Sequence, residues 1–235
     1  MHIKVLKFDP NTDAAPYYVE GDVEWHEYMS ALEVLVQFFK DYSTVSFELS
    51  CCSNRCGRCG MKINGVPALA CDTPVWEDED YTFEPLDGFP VVRDLVVDRT
   101  KFSERLINLY DRTTLEPLTE ETIVPADFDY EKNEAMKPIN NCIRCGCCQS
   151  VCPVVNANSE QYVGPAAMLA IAYRHFDGLD DADRLTQAVA GGLYRCILCG
   201  QCTEVCPEPD IDHVAIWEML RTEAEEAGLK PSYAD

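Results

Sequence analysis

Cysteine is the residue of this chain whose type and spacing can do chemistry. Cys51, Cys56, Cys59 and Cys71 follow one another as C-x4-C-x2-C-x11-C. Two later runs repeat C-x2-C-x2-C-x3-C-P: Cys142, Cys145, Cys148 and Cys152 with Pro153, then Cys196, Cys199, Cys202 and Cys206 with Pro207. The first spacing is that of a plant-type 2Fe-2S site. The paired runs are those of proteins with two cubane clusters, in which the fourth cysteine of each run ligates the other cluster. The spacing therefore predicts a 2Fe-2S cluster on Cys51, Cys56, Cys59 and Cys71. It predicts a 4Fe-4S cluster on Cys142, Cys145, Cys148 and Cys206, and a second on Cys152, Cys196, Cys199 and Cys202. Three clusters on one chain serve to move single electrons.

The other chemistries open to cysteine fit less well. Disulfides suit small secreted scaffolds in oxidising compartments, and the start of this 235-residue chain has no apolar stretch or small-residue cleavage site of a secretory signal. Zinc takes C-x2-C pairs, but it does not ask for four cysteines in one x2-x2-x3 run before proline, twice over. Rieske ligation needs two histidines on one iron, whereas His2, His26, His175 and His213 all lie outside the runs. Two of the fourteen cysteines remain. Using Cys147 in place of Cys148 gives spacings that match no cluster, so Cys147 is expected to line a cluster pocket. Cys52 is read the same way, both as small, buried apolar residues.

Elements must position these runs. His2 to Phe8 has strand character, and Tyr17 to Val23 can pair with it. From Tyr28 to Phe39, residues Leu32, Leu35, Val36 and Phe39 recur at helical spacing. Gly57 and Gly60 let backbone amides approach the sulfurs. Met61 to Ala70 reads as a hairpin turning at Asn64-Gly65, with Tyr81 to Phe83 and Val91 to Val97 as closing strands. Beyond residue 100 the strand pattern stops. Phe102 to Tyr110, Gly164 to Phe176 with Pro165 in its first turn, Asp181 to Val189 and Ile211 to Ala227 read as helices. Val214, Ile216, Trp217 and Leu220 of the last one are expected to face inward. Thr113 to Lys137, with Pro117 and Pro125, reads as an acidic connection. The expected class is α+β: a β-grasp plant-type ferredoxin domain over 1–101, followed by an all-α two-cluster bacterial-ferredoxin-like domain over 102–235. Assembly of the second domain should depend on its clusters.

Composition sets outer limits. With 47% hydrophobic residues the chain is globular rather than disordered. No run reaches the eighteen or so apolar residues of a membrane span. A formal net charge of -22, from 41 acidic and 19 basic residues, argues against nucleic acid as a partner.

Beyond the cysteines, Glu84 to Val91 with Asp94 to Asp98, Gly164 to Ala167 followed by Ala172 to Arg174, and Arg195-Cys196 resemble the iron-sulfur subunit of succinate dehydrogenase and fumarate reductase over nearly the whole chain. The resemblance implies an electron-transfer subunit with no substrate-binding residues of its own. It implies two partners: an FAD-containing flavoprotein that interconverts succinate and fumarate, and a membrane-anchor or cysteine-rich quinone-linked subunit. The location implied is cytoplasmic, peripheral on the inner face of the cell membrane through those partners. It also implies an order, with the 2Fe-2S domain beside the flavin, the Cys142 cubane next and the Cys196 cluster last. Two departures stand out. Most family members have a non-cysteine residue at the position of Cys199 and a 3Fe-4S cluster there; a full thiolate set builds 4Fe-4S, while a spare Cys199 would leave 3Fe-4S. Quinone-binding members carry tryptophans after the first Cys-Pro and a histidine after the first cysteine of the last run, where this chain has Val154 to Ala157 and Ile197. The alternative is a thiol-linked, heterodisulfide-reductase-like fumarate reductase or another flavin-dependent complex.

Overall fold

The computed structural model describes residues 1–113, 129–158 and 160–234. Its chain divides into two units: Met1–Thr100 with Ile143–Val151 and Val205–Pro207, and Lys101–Cys142 with Cys152–Glu204 and Glu208–Asp235. Pro117 and Pro125 of the expected connection lie outside the described residues.

In the first unit, alternation of apolar and polar residues in β1 (His2–Lys7) sends Ile3 and Val5 into the core. β2 (Tyr17–Asp22) pairs antiparallel with β1, Ile3 facing Gly21. β3 (Gly60–Ile63) and β4 (Val66–Leu69) close on Ile63–Val66 around Asn64 and Gly65, which both take the positive φ that a two-residue hairpin turn requires. β5 (Tyr81–Glu84) runs parallel to β1 and antiparallel to β3, giving the order β2-β1-β5-β3-β4. α1 (Ala31–Asp41) covers one face of this mixed sheet. Ser30 and Glu33 form a reciprocal capping box at its start, which satisfies amides that have no partner inside the helix. Its buried stripe is Ala31, Leu32, Val34, Leu35 and Phe38.

The structure corrects three expectations here. The helix begins at Ala31 rather than Tyr28, because the Ser30 cap sets its first turn. Phe39, expected on the inner face, is 46% exposed, since Phe38 takes the core position one residue earlier. Val91 to Val97 does not close the main sheet: it folds on itself as β6 (Val91–Arg93) and β7 (Val96–Val97), turning at Asp94 with φ +50°.

Asp94 explains why that small hairpin stays in place. It is 1% exposed, and its carboxylate accepts from Phe8 N at 3.0 Å and Ser46 N at 2.8 Å. Its own amide donates to Phe8 O at 2.7 Å, and Leu95 N donates to Ser46 O at 3.1 Å. One side chain therefore ties the hairpin to the end of β1 and to the segment that enters the first cysteine loop.

The second unit is helical. α6 (Pro165–His175) is buried from Pro165 through Ala172 and packs against α3 (Tyr130–Ile139), α7 (Arg184–Ala190) and α9 (His213–Glu226). α2 (Thr100–Tyr110) precedes them. α3 overlaps the end of the stretch Thr113 to Lys137 expected to be a connection and runs two residues past it. Asp129 caps it by accepting from Lys132 N, and Pro138 sits in its last turn. In α9, Ile216, Trp217 and Leu220 are buried as expected, together with His213 and Ala224, while Val214 is only half-buried. Arg184 and Asp180 form a two-pronged buried ion pair at 2.9 and 2.8 Å. Burial pushes the Asp180 carboxyl upward, but the Arg184 fork and the amides of Thr113 and Ala182 together bring the net shift down. Among the described residues no helix is long and apolar enough to cross a membrane.

Replacing Asp94 with Ala strands two half-buried amides that now bond to its carboxylate. The expected loss is about 2–4 kcal/mol of unfolding free energy, to be measured by denaturant melts of the cluster-loaded protein; Asp94→Asn should keep part of it.

Candidate metal centres

No two of the fourteen cysteines are joined as a disulfide. In the first unit, Cys51, Cys56, Cys59 and Cys71 come together as two hydrogen-bonded pairs. Cys51 pairs with Cys56, and Cys59 pairs with Cys71 and also feels the charge of Cys56. A 2Fe-2S centre needs two thiolates on each of two irons, and this pairing would fit that need.

Backbone amides turn toward the sulfurs: Arg55 N lies 3.3 Å from Cys51 Sγ, and Asn54 N lies 3.4 Å from Cys71 Sγ. The amides of Ser53 and Arg55 pull the Cys51 thiol down to about 6, while burial pushes Cys59 up to about 12. The loop achieves this with positive φ at Cys52, Asn54 and Gly57. Such conformations cost non-glycine residues energy and persist only where the surroundings enforce them. Cys52 corrects an expectation: it is exposed, not buried, because the left-handed turn points its side chain out of the loop. A groove of about 670 Å³ runs beside this loop, lined by α1 residues such as Leu32 and Val36 and by Leu49, Cys52 and Cys71.

The two C-x2-C-x2-C runs fold alike. Arg144 and Leu198, two residues after each first cysteine, have φ of +57° and +52°. Gly146 and Gly200, directly after each second cysteine, have φ of +87° and +79°. Short helices follow, α4 (Cys147–Val151) and α8 (Gln201–Glu204). The left-handed Arg144 and Leu198 had no signal in residue type. The glycine repeated at the same place in both runs was the legible half of the turn.

In the second unit, Cys152 stands with Cys196, Cys199 and Cys202. Burial raises the Cys202 thiol to about 12, and Cys196, Cys152 and Cys199 add to the rise. Burial also raises Cys152, opposed by the amides of Val155 and Val154 and assisted by Cys196 and Cys199. These amides open α5 (Pro153–Asn158). The four cysteines line one hollow with Tyr162 and Trp217, so the last cysteine of the first run sits among the first three of the second. Arg221 fixes this loop, donating to Leu193 O at 2.8 Å and Cys196 O at 2.5 Å. Ile197 is 64% exposed and Cys199 is exposed.

Of the remaining set, Cys145, Cys148 and Cys206 belong to the first unit and Cys142 to the second. Cys145 and Cys148 are buried, Cys142 and Cys206 half-buried. Cys147 is fully buried among the first unit's apolar residues. Its thiol donates to Cys145, which lowers the Cys145 pKa and raises its own. Among the described residues no three His, Cys, Asp or Glu side chains converge closely enough for one metal ion. A cluster asks for less convergence, since its thiolates are shared among several irons.

The comparisons with known proteins agree with this geometry. Residues 2–104 match the family described as 2Fe-2S iron-sulfur cluster binding domain, and residues 138–209 match the 4Fe-4S dicluster domain. The chain is 36% identical over 98% of its length to a fumarate reductase (CoM/CoB) subunit of Methanothermobacter marburgensis, of which it spans 46%. It is 33% identical to the fumarate reductase iron-sulfur subunit of Escherichia coli, covering 98% of this chain and 97% of that one. A chain of the Mycobacterium smegmatis Sdh1 complex in the apo form superposes with a TM-score of 0.83 at 27% identity, covering 98% of both chains. The chain belongs to the family of succinate dehydrogenase and fumarate reductase iron-sulfur subunits.

Gly57 and His213 give two expected outcomes. A Cβ at Gly57, which has φ +66°, would lie 2.8 Å from Cys145 Cα, whereas one at Gly65, with φ +80°, meets nothing within 4 Å. Gly57→Ala should cost about 2–4 kcal/mol and bleach the 2Fe-2S absorbance; Gly65→Ala should cost about 1–2 kcal/mol and leave the absorbance intact. His213 is fully buried edge-on to Trp217. Burial pushes its pKa down to about 4 from 6.5, so the unfolded chain takes up the proton first. The stability held by the neutral ring is complete above pH 6.5 and is lost as the pH falls toward 4. The drop in melting temperature between about pH 7.5 and about pH 5 should be smaller in His213→Phe than in the native protein.

Proposed function

We propose that this chain is the electron-transfer subunit of a succinate dehydrogenase or fumarate reductase complex. It would relay single electrons between an FAD-containing subunit that interconverts succinate and fumarate and a membrane-anchor or quinone-linked partner. The observation that carries the reading is the grouping of Cys152 with Cys196, Cys199 and Cys202, an exchange that has a purpose only if two clusters are held at once. When bound, iron-sulfur clusters supply reversible one-electron storage at potentials set by charge, hydrogen bonds to sulfur and solvent exposure.

The ligand assignment keeps three sets: Cys51, Cys56, Cys59 and Cys71 for 2Fe-2S; Cys142, Cys145, Cys148 and Cys206 for 4Fe-4S; Cys152, Cys196, Cys199 and Cys202 for a second 4Fe-4S. The position of Cys199 on the same hollow as its three companions supports a full set over a 3Fe-4S centre with a spare thiol. The groove beside Cys71 suits the flavoprotein, since an electron entering there is next to a 2Fe-2S ligand. Exposed Ile197 and Cys199 suit the opposite partner, by which the chain would sit on the inner face of the membrane. Direct quinone binding is disfavoured: Asn156 and Ala157 are exposed and place no donor in an apolar slot of the kind that small ligands need.

A second reading has its own observation. The 36% identity to the Methanothermobacter fumarate reductase (CoM/CoB) subunit favours a complex in which electrons are exchanged with thiols rather than quinone. Co-purified partners separate the two readings.

Iron analysis and low-temperature EPR of anaerobically prepared protein should give about ten irons per chain and no strong oxidised 3Fe-4S signal. Cys152→Ala should damage the centre held by Cys196, Cys199 and Cys202 and spare that of Cys145 and Cys148. Loss confined to the latter centre would refute the exchange.

A further inference from the structure

Arg99 ends the chain segment that follows β7, and its guanidinium turns back onto the first cysteine loop. Nη1 donates to Gly57 O at 2.8 Å, and Nη2 donates to Gly60 O at 3.1 Å and Arg58 O at 3.4 Å. These three carbonyls bracket Cys59. On its other side lies the second cysteine run: a Cβ at Gly60 would lie 3.4 Å from Arg99 Nη2 and 3.2 Å from Cys145 O. Nε is buried with no hydrogen-bond partner, and among the described residues no carboxylate pairs with this cation. The arrangement is unusual in a chain with 41 acidic residues. Three carbonyl acceptors offset part of the cost of half-burying this cation but supply no counter-charge, and the loops on either side of it carry Cys59 and Cys145.

We propose that Arg99 is a charge bridge between the 2Fe-2S centre and the neighbouring cubane, one fixed cation that raises the reduction potential of both. The inference rests on the ligand assignment above, which places Cys59 in one centre and Cys145 in the other. Each centre gains one electron and one negative charge on reduction. A cation held beside a ligand favours that more negative form, as second-shell groups do at metal sites generally. Three carbonyl bonds keep the guanidinium from swinging to solvent, so its charge is not diluted by motion. Arg99 is thus a positioning and tuning residue, acting on the centres through their ligand loops and touching no substrate.

The test is an EPR-monitored redox titration of the cluster-loaded protein. It follows the 2Fe-2S signal and the cubane signal that disappears in Cys145→Ala. Arg99→Met, close in length but neutral, should keep both signals and lower the reduction equilibrium constant of each centre about tenfold, which is about 59 mV for a one-electron couple. Arg99→Lys should hold both potentials near the native values. Unchanged potentials in Arg99→Met, or a shift in only one of the two centres, overturns the bridge. If Arg99→Met fails to assemble either centre, Arg99→Lys decides: native potentials support the charge bridge, and a fall with the ammonium in place overturns it. A native protein lacking the two signals would overturn the ligand assignment first, and the bridge with it.

Discussion

The constraint on which the rest of this structure depends is that many thiols must be gathered in small, partly buried loops, where some of them resist becoming thiolates. Burial and mutual repulsion drive Cys59 and Cys202 up to about 12, whereas cluster ligation needs the deprotonated form. Loading with iron therefore displaces protons, and its free energy becomes folding free energy for the loops that carry the cysteines. The strained left-handed residues in those loops, Cys52, Asn54, Arg144 and Leu198, store part of that cost in the backbone. In the first loop the amides of Asn54 and Arg55 are thereby aimed at sulfur.

Each unit surrounds its cysteines with structure that does not yield. In the first, the capped helix α1, the five-stranded sheet and the Asp94 tie fix the chain on both sides of the Cys51 to Cys71 loop. In the second, the buried Asp180–Arg184 pair and the Arg221 bonds to Leu193 and Cys196 do the same for the Cys196 loop. A buried ion pair adds little net stability by itself, but breaking it leaves an uncompensated charge, so these contacts hold geometry more than they add energy. Arg99 and Arg221 use one device: a guanidinium fork on main-chain carbonyls at or beside a cysteine of the cluster-motif runs. Arginine suits the task because its planar fork reaches several acceptors at once and stays charged.

The overall charge of -22 and the half-buried guanidinium ions have opposite effects on an electron. A negative surface disfavours electron gain everywhere by a weak, salt-screened amount. A guanidinium within contact distance of a ligand loop acts through low dielectric and is screened far less. A local cation therefore acts on the centres beside it more strongly than the diffuse surface charge does, while the surface affects which partners approach.

Much of this was legible in residue order. Cysteine spacing marked the candidate ligand runs, and the hairpin at Asn64-Gly65 and the helix after Pro165 followed from turn chemistry and periodicity, because these are local properties of the backbone. The tertiary structure decided what depends on contacts distant in sequence. Phe38 rather than Phe39 turned inward because the sheet beneath α1 set its rotation. Val91 to Val97 folded on itself because Asp94 found amides at Phe8 and Ser46. Cys52 faced solvent because its loop took a left-handed turn, and Arg99, ordinary in sequence, came to lie between two cysteine loops that are about eighty-five residues apart along the chain. Periodicity reports which residues prefer burial; only packing determines which neighbour, charge or carbonyl meets them there.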